Sequence, residues 1–204
     1  MNTLPTEGDG MRSVPARHQP MGDLVTVGGS NGNPRMKIAH REIGPEYPPL
    51  VIAEIGINHG GDLEVAKDMV RLAAQAGAEC IKHQTHFVED EMTDEAKSVF
   101  PPNADISIYE VMQRCALTQQ DEIELKAFAE KLGLIYISTP FSRKAADFLN
   151  SIDVPAFKIG SGEADHLPLI RVSWSIARAR SIAPCTIRSS GPDRRMQSIV
   201  SRVR

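Results

Sequence analysis

The sequence predicts an α/β fold in which parallel strands alternate with crossover helices. Between residues 49 and 171, short and nearly continuous apolar runs alternate four times with helical patterns. These runs lack the polar–apolar alternation of a half-exposed hairpin strand, and buried parallel strands are apolar throughout. A (β/α)8 barrel needs about 250 residues, so four units correspond to a TIM-type barrel truncated to about its first four β/α units. A small open doubly wound sheet fits the same pattern.

The first unit and the second strand have clear local signals. Residues 49–53 form an apolar run that predicts a buried strand. Asp62 is a suitable N-cap for a helix over residues 63–73, where apolar side chains recur at helical spacing, and Gly77 supplies its stop. Residues 78–84 predict the second strand.

A long polar connection, residues 85–105, follows the second strand, and connections of that length are usually functional. A short helix is predicted over residues 106–115. Thr118 then caps an amphipathic helix that ends at Gly133, and residues 134–138 predict the third strand.

The last predicted unit is shorter. Ser142 can cap a helix that runs through Leu149, residues 155–159 predict the fourth strand, and a fourth helix begins near Leu167.

Composition divides the chain into three segments. Residues 1–35 are rich in Gly and Pro and predict a flexible leader, and residues 36–171 form the N-terminal part of the barrel. Residues 172–204 hold seven Arg and one Asp, a net charge of +6, whereas residues 1–171 carry 16 basic and 25 acidic side chains, a net charge of −9. We interpret this Arg-rich tail as aberrant, and hypothesise a frameshift near Arg171.

Half a barrel has two open sheet edges, so we expect marginal stability or aggregation of the isolated chain.

Overall composition excludes several classes of protein. The net charge of −3 predicts no strong attraction to nucleic acid or membrane. No run approaches 18 apolar residues, so no membrane span is expected, and the N-terminus lacks the apolar stretch of a secretory signal. We therefore expect a cytoplasmic protein. The cysteines, Cys80, Cys115 and Cys185, have no close spacing and predict reduced thiols rather than disulfides or a zinc site.

Polar side chains follow each predicted strand, where parallel α/β folds collect functional groups. Lys82 and Lys158, with nearby hydroxyls, predict an anion site for phosphate or carboxylate. Glu54 and Glu163 are candidates for acid/base groups or for binding substrate hydroxyls. One polar residue at a strand end is usually only a solvated loop start, but four strands in a row favour a site.

Two other patterns have structural interpretations. Ser142 can be a helix cap and nothing more. His59, His83 and His86 resemble a ligand cluster, but His83 points opposite to its neighbours in the second strand, so one shared metal ion is not expected.

Four motifs carry a resemblance to a known family. They are Ala-Glu-Ile-Gly-Ile-Asn-His at 53–59, Lys-His-Gln-Thr-His at 82–86, Ser-Thr-Pro-Phe-Ser at 138–142 and Lys-Ile-Gly-Ser-Gly-Glu at 158–163. In this order and spacing, about residues 48–171 resemble the N-terminal half of the N-acetylneuraminate (sialic acid) synthase family. The second motif is closer to the bacterial neuraminate branch than to the legionaminate or pseudaminate branches.

The resemblance implies a reaction. Phosphoenolpyruvate condenses with open-chain N-acetylmannosamine, water attacks C2 of the phosphoenolpyruvate unit, and phosphate leaves by C–O cleavage to give N-acetylneuraminate. The family is homodimeric and uses a divalent metal, Mn²⁺ or Mg²⁺, as a Lewis acid on the sugar aldehyde.

The resemblance also implies residue roles. The acidic residue at the reacting centre corresponds to Glu54. Phosphoenolpyruvate-binding positions correspond to Lys82, Thr139, Lys158 and Ser161. Positions facing the sugar or its aldehyde correspond to Gln84, Asn103 and Glu163.

The sequence departs from the family after Arg171. The family continues with a Ser-Thr-Gly-Met strand, two metal-binding histidines and an antifreeze-like domain that lends an Arg to the partner's site, and residues 172–204 match none of these. We therefore expect the metal ligands and the dimer contacts to be missing here, and little or no synthase activity. Two other functions are open: a Schiff-base aldolase using Lys82 or Lys158, and an interaction arm for RNA or another acidic partner in the tail.

Overall fold

The structure is a computed structural model. It describes the backbone of residues 35–102, 104–179, 184–188 and 196–201, with side chains up to Ile176. The predicted leader lies outside the described residues except for Arg35. The strands are β1 Met36–Ile38, β2 Arg41–Ile43, β3 Ile52–Gly56, β4 Cys80–Thr85, β5 Ile135–Pro140, β6 Ala156–Ile159, β7 Pro184–Arg188 and β8 Met196–Ser201. The helices are α1 Leu63–Gln75, α2 Val88–Glu91, a 3-10 helix Asp94–Ser98, α3 Ile108–Cys115, α4 Gln119–Lys131, α5 Arg143–Ser151 and α6 Leu167–Ala179.

The main sheet has the strand order β3-β4-β5-β6-β8-β7, in which β3 to β6 are parallel. This confirms the predicted α/β class and the predicted succession of four strands with intervening helices. Strand boundaries differ from the prediction by up to three residues, and the largest shift is in β3, which begins at Ile52 rather than residue 49. The long connection after β4 contains α2 and the 3-10 helix.

Two apolar layers cover the two faces of the sheet. On the face toward the helices, Ile81, Tyr136 and Phe157 pack with residues of α1, α4 and α5. On the opposite face, Cys80, Ile135 and Ile137 pack against Met36 and Ile38 of the antiparallel β1–β2 hairpin. Because Cys80 and Ile135 begin their strands, the hairpin covers the amino-terminal part of this face. At the carboxyl ends of the strands, polar side chains occupy the same face.

The predicted helix caps are confirmed. Asp62 accepts hydrogen bonds from the N–H groups of Glu64 and Val65, and Thr118 forms a reciprocal capping box with Asp121. Ser142 accepts a hydrogen bond from the N–H of Ala145, so its structural interpretation is correct. Such caps satisfy backbone donors that the first helical turn leaves free.

The described cysteine side chains are free thiols. Cys80 is fully buried, and burial raises the pKa of its thiol to about 12, which makes it chemically inert at neutral pH. Cys115 is half-buried, and the side chain of Cys185 lies outside the described residues.

The expected open edge beside the fourth strand is wrong for the part of the chain that the structure describes. Strand β8 pairs with β6 in antiparallel register, from Ala156 with Ser201 to Ile159 with Ser198, and β7 pairs with β8. Ile199 and Val200 in β8 are β-branched, which suits a strand despite the poor periodicity of the tail. Helix α6 also runs across Arg171, so the chain changes composition without a break in secondary structure.

Among the described helices, none has both the length and the apolar character needed to cross a bilayer.

Candidate active site

Strand register brings the predicted site residues to one face of the sheet. Glu54 of β3 lies opposite Lys82 of β4, and Gln84 of β4 lies opposite Thr139 of β5. Successive side chains alternate between the faces, so these four share the face away from the helices. On β6, Phe157 packs in the helix-side core and its neighbour Lys158 therefore joins the same group.

Glu54 and Lys82 form an ion pair at the centre of this group. The Lys82 side chain is 13 % exposed and the Glu54 side chain 45 % exposed, so the carboxylate faces solvent and the ammonium lies beneath it. The Glu54 carboxylate offsets the cost of burying the Lys82 ammonium, and its exposed part can still contact a ligand.

Lys158 lies close enough to Lys82 to be affected by its charge. Burial, and then repulsion from Lys82, lower the pKa of Lys158, and the carboxylates of Glu54 and Glu163 partly offset this effect. The two ammonium groups, on β4 and β6, therefore repel each other, and an added anion would reduce this repulsion. The electrostatics are thus compatible with an anionic ligand.

The Thr139 hydroxyl is buried and has no hydrogen-bond partner among the described residues. Leaving a buried hydroxyl unpaired costs about 1–3 kcal/mol. The Thr139 methyl carbon Cγ2 is 3.8 Å from the point where a side chain on Gly160 would begin, so the Thr139 side chain lies against the β6–α6 loop. A polar atom left unpaired in a candidate site is available to a ligand.

Glu163 folds back over Gly160. A Cβ atom at residue 160 would overlap Glu163 Oε2, so the glycine makes this position of the carboxylate possible. Burial raises the pKa of Glu163, Glu91 adds to the rise, and Lys158 and His166 oppose it. Glu163 therefore lies beside Lys158 at the edge of the site, and holds a proton more readily than an exposed carboxylate.

Gln84 and His86 continue the site beyond β4. The Gln84 Oε1 atom is 3.1 Å from His86 Nε2, and the other ring nitrogen of His86, Nδ1, is 2.9 Å from Glu91 Oε1. The His86 ring stacks on Phe141 with 4.4 Å between ring centroids. The motifs at 82–86 and 138–142 are thus in contact with each other, and Glu91, the last residue of α2, joins them.

A second polar group lies on the opposite face of the same strands, beneath the helices. Glu122 of α4 is 2 % exposed, and its Oε1 accepts hydrogen bonds from Thr85 Oγ1 and from Tyr136 OH at 3.1 Å. His83 Nδ1 lies 3.3 Å from the same oxygen, and Ser138 Oγ is 2.7 Å from Thr85 Oγ1. We call Glu122, His83, Thr85, Tyr136, Ser138 and His59 the buried polar network.

Sequence reasoning missed Glu122. The available signal is its spacing, because Glu122 precedes the buried Leu125 and Ala129 by three and seven residues and therefore lies on the buried face of α4. The pKa of Tyr136 is raised well above its usual value by burial and by the Glu122 charge.

Hydrogen-bond logic assigns the protons of the two histidines in this network. His83 Nδ1 faces a carboxylate and must donate, so a neutral His83 accepts at Nε2. His59 Nε2, 3.1 Å away, must then donate, and His59 Nδ1 accepts from the N–H of Gly61 at 3.1 Å. Burial first, and His83 second, lower the pKa of His59 to about 4. The His59 ring is therefore neutral at pH 7.

The described residues do not fit a divalent metal ion. Among them, no three His, Cys, Asp or Glu side chains are placed to hold one. Every ring nitrogen of His59 and His83 is engaged by a protein group, and the carboxylates of Glu54 and Glu163 lie beside lysines. Ammonium groups next to those oxygens disfavour a second cation.

The remaining predicted residues have different outcomes. Ser161 is half-buried in the loop after β6, three residues beyond Lys158. Asn103 lies outside the described residues. The structure brings together Glu54, Lys82, Gln84, Thr139, Lys158 and Glu163. The individual roles of all eight stay predictions.

Comparison with known proteins identifies the family. The family model described as the NeuB family matches residues 69–182, more than half of the chain. This chain belongs to the NeuB family. The resemblance to sialic acid synthases predicted from the motifs is confirmed. The NeuB match extends past Arg171 into the Arg-rich tail, as far as residue 182.

Several relatives of this NeuB-family chain carry functional names. Human N-acetylneuraminate-9-phosphate synthase is 34% identical over 133 residues, which is 64% of this chain and 37% of that protein. The N,N'-diacetyllegionaminic acid synthase of Campylobacter jejuni is 34% identical over 126 residues, 60% of this chain and 38% of that protein.

A solved structure shows the same fold. The N-acetylneuraminic acid synthetase of Leptospira borgpetersenii, in complex with citrate, matches with a TM-score of 0.63 and 25% identity, over 71% of this chain and 47% of that one. The chain thus spans little more than a third of the length of the curated NeuB relatives that it matches, and about half of this structure.

Proposed function

We propose that the polar group at the carboxyl ends of β3 to β6 is the phosphoenolpyruvate and acceptor-sugar site of an N-acetylneuraminate synthase. The observation that carries the proposal is the unpartnered, buried Thr139 hydroxyl, on the same sheet face as two lysines whose charges repel each other. The site therefore has a free hydrogen-bonding group and two cations whose mutual repulsion the carboxylates of Glu54 and Glu163 only partly offset. Phosphoenolpyruvate supplies both a phosphate and a carboxylate to satisfy them.

The four residues proposed to bind phosphoenolpyruvate provide complementary groups. Lys82 and Lys158 neutralise its charge, while the hydroxyls of Thr139 and Ser161 donate hydrogen bonds to its oxygens. Binding in this way relieves the repulsion between the lysines and pairs the Thr139 hydroxyl. The ligand thus removes two unfavourable features of the site.

Glu54 is proposed to act at the reacting centre. In the reaction, C3 of phosphoenolpyruvate forms a C–C bond to the aldehyde carbon of N-acetylmannosamine, water adds to C2, and the C2–O bond to phosphate breaks. The Glu54 carboxylate, anchored by Lys82 and partly open to solvent, can orient that water and take its proton. Gln84, Asn103 and Glu163 are proposed to face the sugar.

The alternative is a synthase of a related nonulosonic acid, which differs in the acceptor sugar. The legionaminic acid synthase of Campylobacter jejuni and the human synthase have the same identity to this chain. Both alternatives use the same phosphoenolpyruvate site and differ in the groups around the sugar.

We further propose that β3 to β6 and their helices correspond to the first four units of a TIM-type barrel. The extent of the match to the Leptospira structure supports this correspondence. Because the described residues hold no metal site, we expect the purified 204-residue chain to have little or no synthase activity. Formation of N-acetylneuraminate from phosphoenolpyruvate, N-acetylmannosamine and Mn²⁺ by this chain would contradict that expectation.

Binding of phosphoenolpyruvate tests the site without requiring turnover. Isothermal titration of the purified chain should detect binding, and Thr139→Val should weaken it about tenfold because one hydrogen bond to a charged ligand is lost. Thr93→Val is the matched control, since Thr93 is an exposed threonine away from the sheet. Equal affinity in the wild type and Thr139→Val, or no binding by the wild type, would refute the proposed site.

A Schiff-base aldolase is the second candidate, and one observation favours it. The lowered pKa of Lys158 increases the fraction of neutral amine, which is the nucleophile in Schiff-base chemistry. Borohydride trapping with pyruvate followed by mass spectrometry distinguishes the two functions. A stable adduct on Lys158 supports the aldolase, and its absence while phosphoenolpyruvate binds supports the synthase.

A further inference from the structure

Strand β6, which carries Lys158, is aligned in the sheet mainly through β8. Strands β4 and β5 are aligned residue by residue along their whole length. Within the described residues, a single pair, Ser138 with Phe157, aligns β5 with β6. Strand β8 is aligned with all four residues of β6, and Lys158 lies opposite Ile199. The strand that carries Lys158 therefore has most of its backbone partners in the Arg-rich tail.

Strand β8 takes the place beside β6 where a TIM-type barrel has its next parallel strand. In such a barrel, each strand has a parallel neighbour on both sides. Here β5 is the parallel neighbour of β6 on one side, and β8 runs antiparallel on the other. The NeuB match ends at residue 182 and β7 begins at Pro184, so the β7–β8 pair lies beyond the matched segment. A parallel strand cannot pair with this edge of β6 while β8 occupies it.

The sequence of the tail suits the two positions that its strands occupy. Strand β8 has a paired strand on each side, and Met196–Ser201 contains no charged residue although Arg194 and Arg195 precede it. Strand β7 is the outermost of the described strands, and it begins with Pro184 and ends with Arg188. Proline and charged residues discourage further pairing at a sheet edge. The distribution of charge and proline therefore fits an inner strand followed by a protected edge.

The place of Lys158 in the candidate site depends on how β6 is held. Lys158 interacts electrostatically with Lys82, Glu54 and Glu163, so these groups lie close to it. Their proximity requires β6 to keep its register and distance relative to β3 and β4. A strand edge without a partner frays or pairs with another chain, and β8 supplies that partner. Helix α6 and strand β1 both approach β8, so β8 is itself held by the rest of the fold.

We propose that β8 is a positioning strand for the candidate site, which substitutes for the next parallel strand, closes the edge of β6 and keeps Lys158 beside Lys82. The Arg-rich tail is thus part of the folded domain and supports the site. The consequence for phosphoenolpyruvate binding rests on the proposed function, whereas the pairing of β8 with β6 does not.

Amide hydrogen exchange of the full chain tests the pairing without a ligand or a variant. In a strand that is paired on both sides, successive N–H groups bond alternately to one neighbour and the other. The inner amides of β8, those of Ser198, Ile199 and Val200, should therefore all exchange at least about a hundredfold more slowly than in an unstructured peptide. Exchange of these amides at the unstructured rate would overturn the proposal.

Substitutions at Ile199 test the effect of β8 on Lys158. Ile199→Pro removes a ladder N–H, and Ile199→Gly keeps the N–H but weakens the strand. Both should move the titration of Lys158 to higher pH, with the larger shift in Ile199→Pro, because Lys158 becomes less buried and lies farther from Lys82. Reductive ¹³C-methylation and NMR measure this titration. Ile199→Val keeps a β-branched side chain and should titrate as the wild type does.

The titration separates a positioning role from a purely stabilising one. If β8 only adds stability, folded variants melt at a lower temperature but keep the wild-type titration of Lys158. That result, in Ile199→Gly or in a folded Ile199→Pro protein, would overturn the positioning role. Ile199→Gly provides the decisive measurement if Ile199→Pro does not fold.

Phosphoenolpyruvate titration links the tail to the site. Ile199→Pro should weaken binding about tenfold, as expected for the loss of one contact to a charged ligand, and Ile199→Val should bind as the wild type does. Wild-type affinity in a folded Ile199→Pro protein would overturn the positioning role. Failure of the wild type to bind phosphoenolpyruvate would instead refute the proposed function, and the exchange pattern and the Lys158 titration would still decide whether β8 holds β6.

Discussion

His59 and His83 face each other through their Nε2 atoms, 3.1 Å apart, beneath the helices of the sheet. One proton lies between the two nitrogens, and His59 supplies it. Protonation of either acceptor would place two N–H groups against each other. The loop after β3, which follows Glu54 in the chain, is therefore held by two hydrogen bonds, His59 to His83 and Gly61 N–H to His59, that are both satisfied while His59 is neutral.

Acid should weaken this contact. The pKa of His59 is lowered to about 4 in the folded state, mainly by burial, against an ordinary value of 6.5. Between these values the unfolded chain binds a proton that the folded chain does not, so stability falls as the pH falls from 6.5 to 4. The loss attributable to His59 is up to about 3 kcal/mol.

Urea denaturation of the wild type and His59→Asn across this pH range measures the effect. The difference between the two free energies of unfolding should shrink as the pH falls. His40→Asn is the control, because His40 is exposed in the β1–β2 turn. A difference that is independent of pH would show that His59 does not titrate in this way.

Glu122 should be a strong determinant of stability. It accepts hydrogen bonds from β4 and β5 through one oxygen, so Glu122→Ala leaves Thr85, Tyr136 and His83 without their acceptor. We expect a loss of about 3 kcal/mol, and about half of that for Glu122→Gln, which retains one acceptor oxygen. Denaturant titration measures both. Glu124→Gln, an exposed carboxylate two residues on, should cost under about 1 kcal/mol.

Thr139→Val should stabilise the ligand-free chain although it impairs binding. The Thr139 hydroxyl is buried without a partner among the described residues, so its replacement by a methyl group removes a desolvation cost. We expect a gain of about 1 kcal/mol in the free energy of unfolding. Thermal or urea denaturation without ligand measures it, with Thr93→Val as the surface control. Destabilisation by a similar amount would mean that the hydroxyl has a partner in solution.

Lys158 should lose its proton at a lower pH than the exposed Lys97. Burial and Lys82 lower the pKa of Lys158, whereas the hydrogen bond to Asp94 raises the pKa of Lys97. Reductive ¹³C-methylation and NMR titration report each lysine separately. Lys82→Met should move the Lys158 titration to higher pH without restoring its ordinary value, because burial remains. Coincident titration of Lys158 and Lys97 would contradict the proposed electrostatics.

Much of this structure could be predicted because its signals are local. Caps such as Asp62 and Thr118 mark helix starts through hydrogen bonds within three residues, and apolar runs mark the buried parallel strands. The gathering of Glu54, Lys82 and Lys158 followed from a general rule, because parallel strands end at one edge and alternate residues share a face.

The features that the sequence did not reveal depend on distant contacts. His83 meets Glu122 across 39 residues of chain, and β8 pairs with β6 without the regular periodicity that predicts a strand. The β1–β2 hairpin has strands of three residues, too short for a periodic signal, although it covers Cys80 and Ile135. Such elements form because they pack against a neighbouring part of the sheet, and not because of a local sequence signal.

Strand β4 carries two different sets of polar groups on alternating residues. Lys82 and Gln84 serve the candidate site, while His83 and Thr85 belong to the buried polar network. A slip of one residue in its pairing with β5 would exchange the two sets, placing an ammonium group against the helix-side core and a histidine in the site. The buried polar network therefore favours the native register over a slipped one, because only the correct alignment satisfies Glu122.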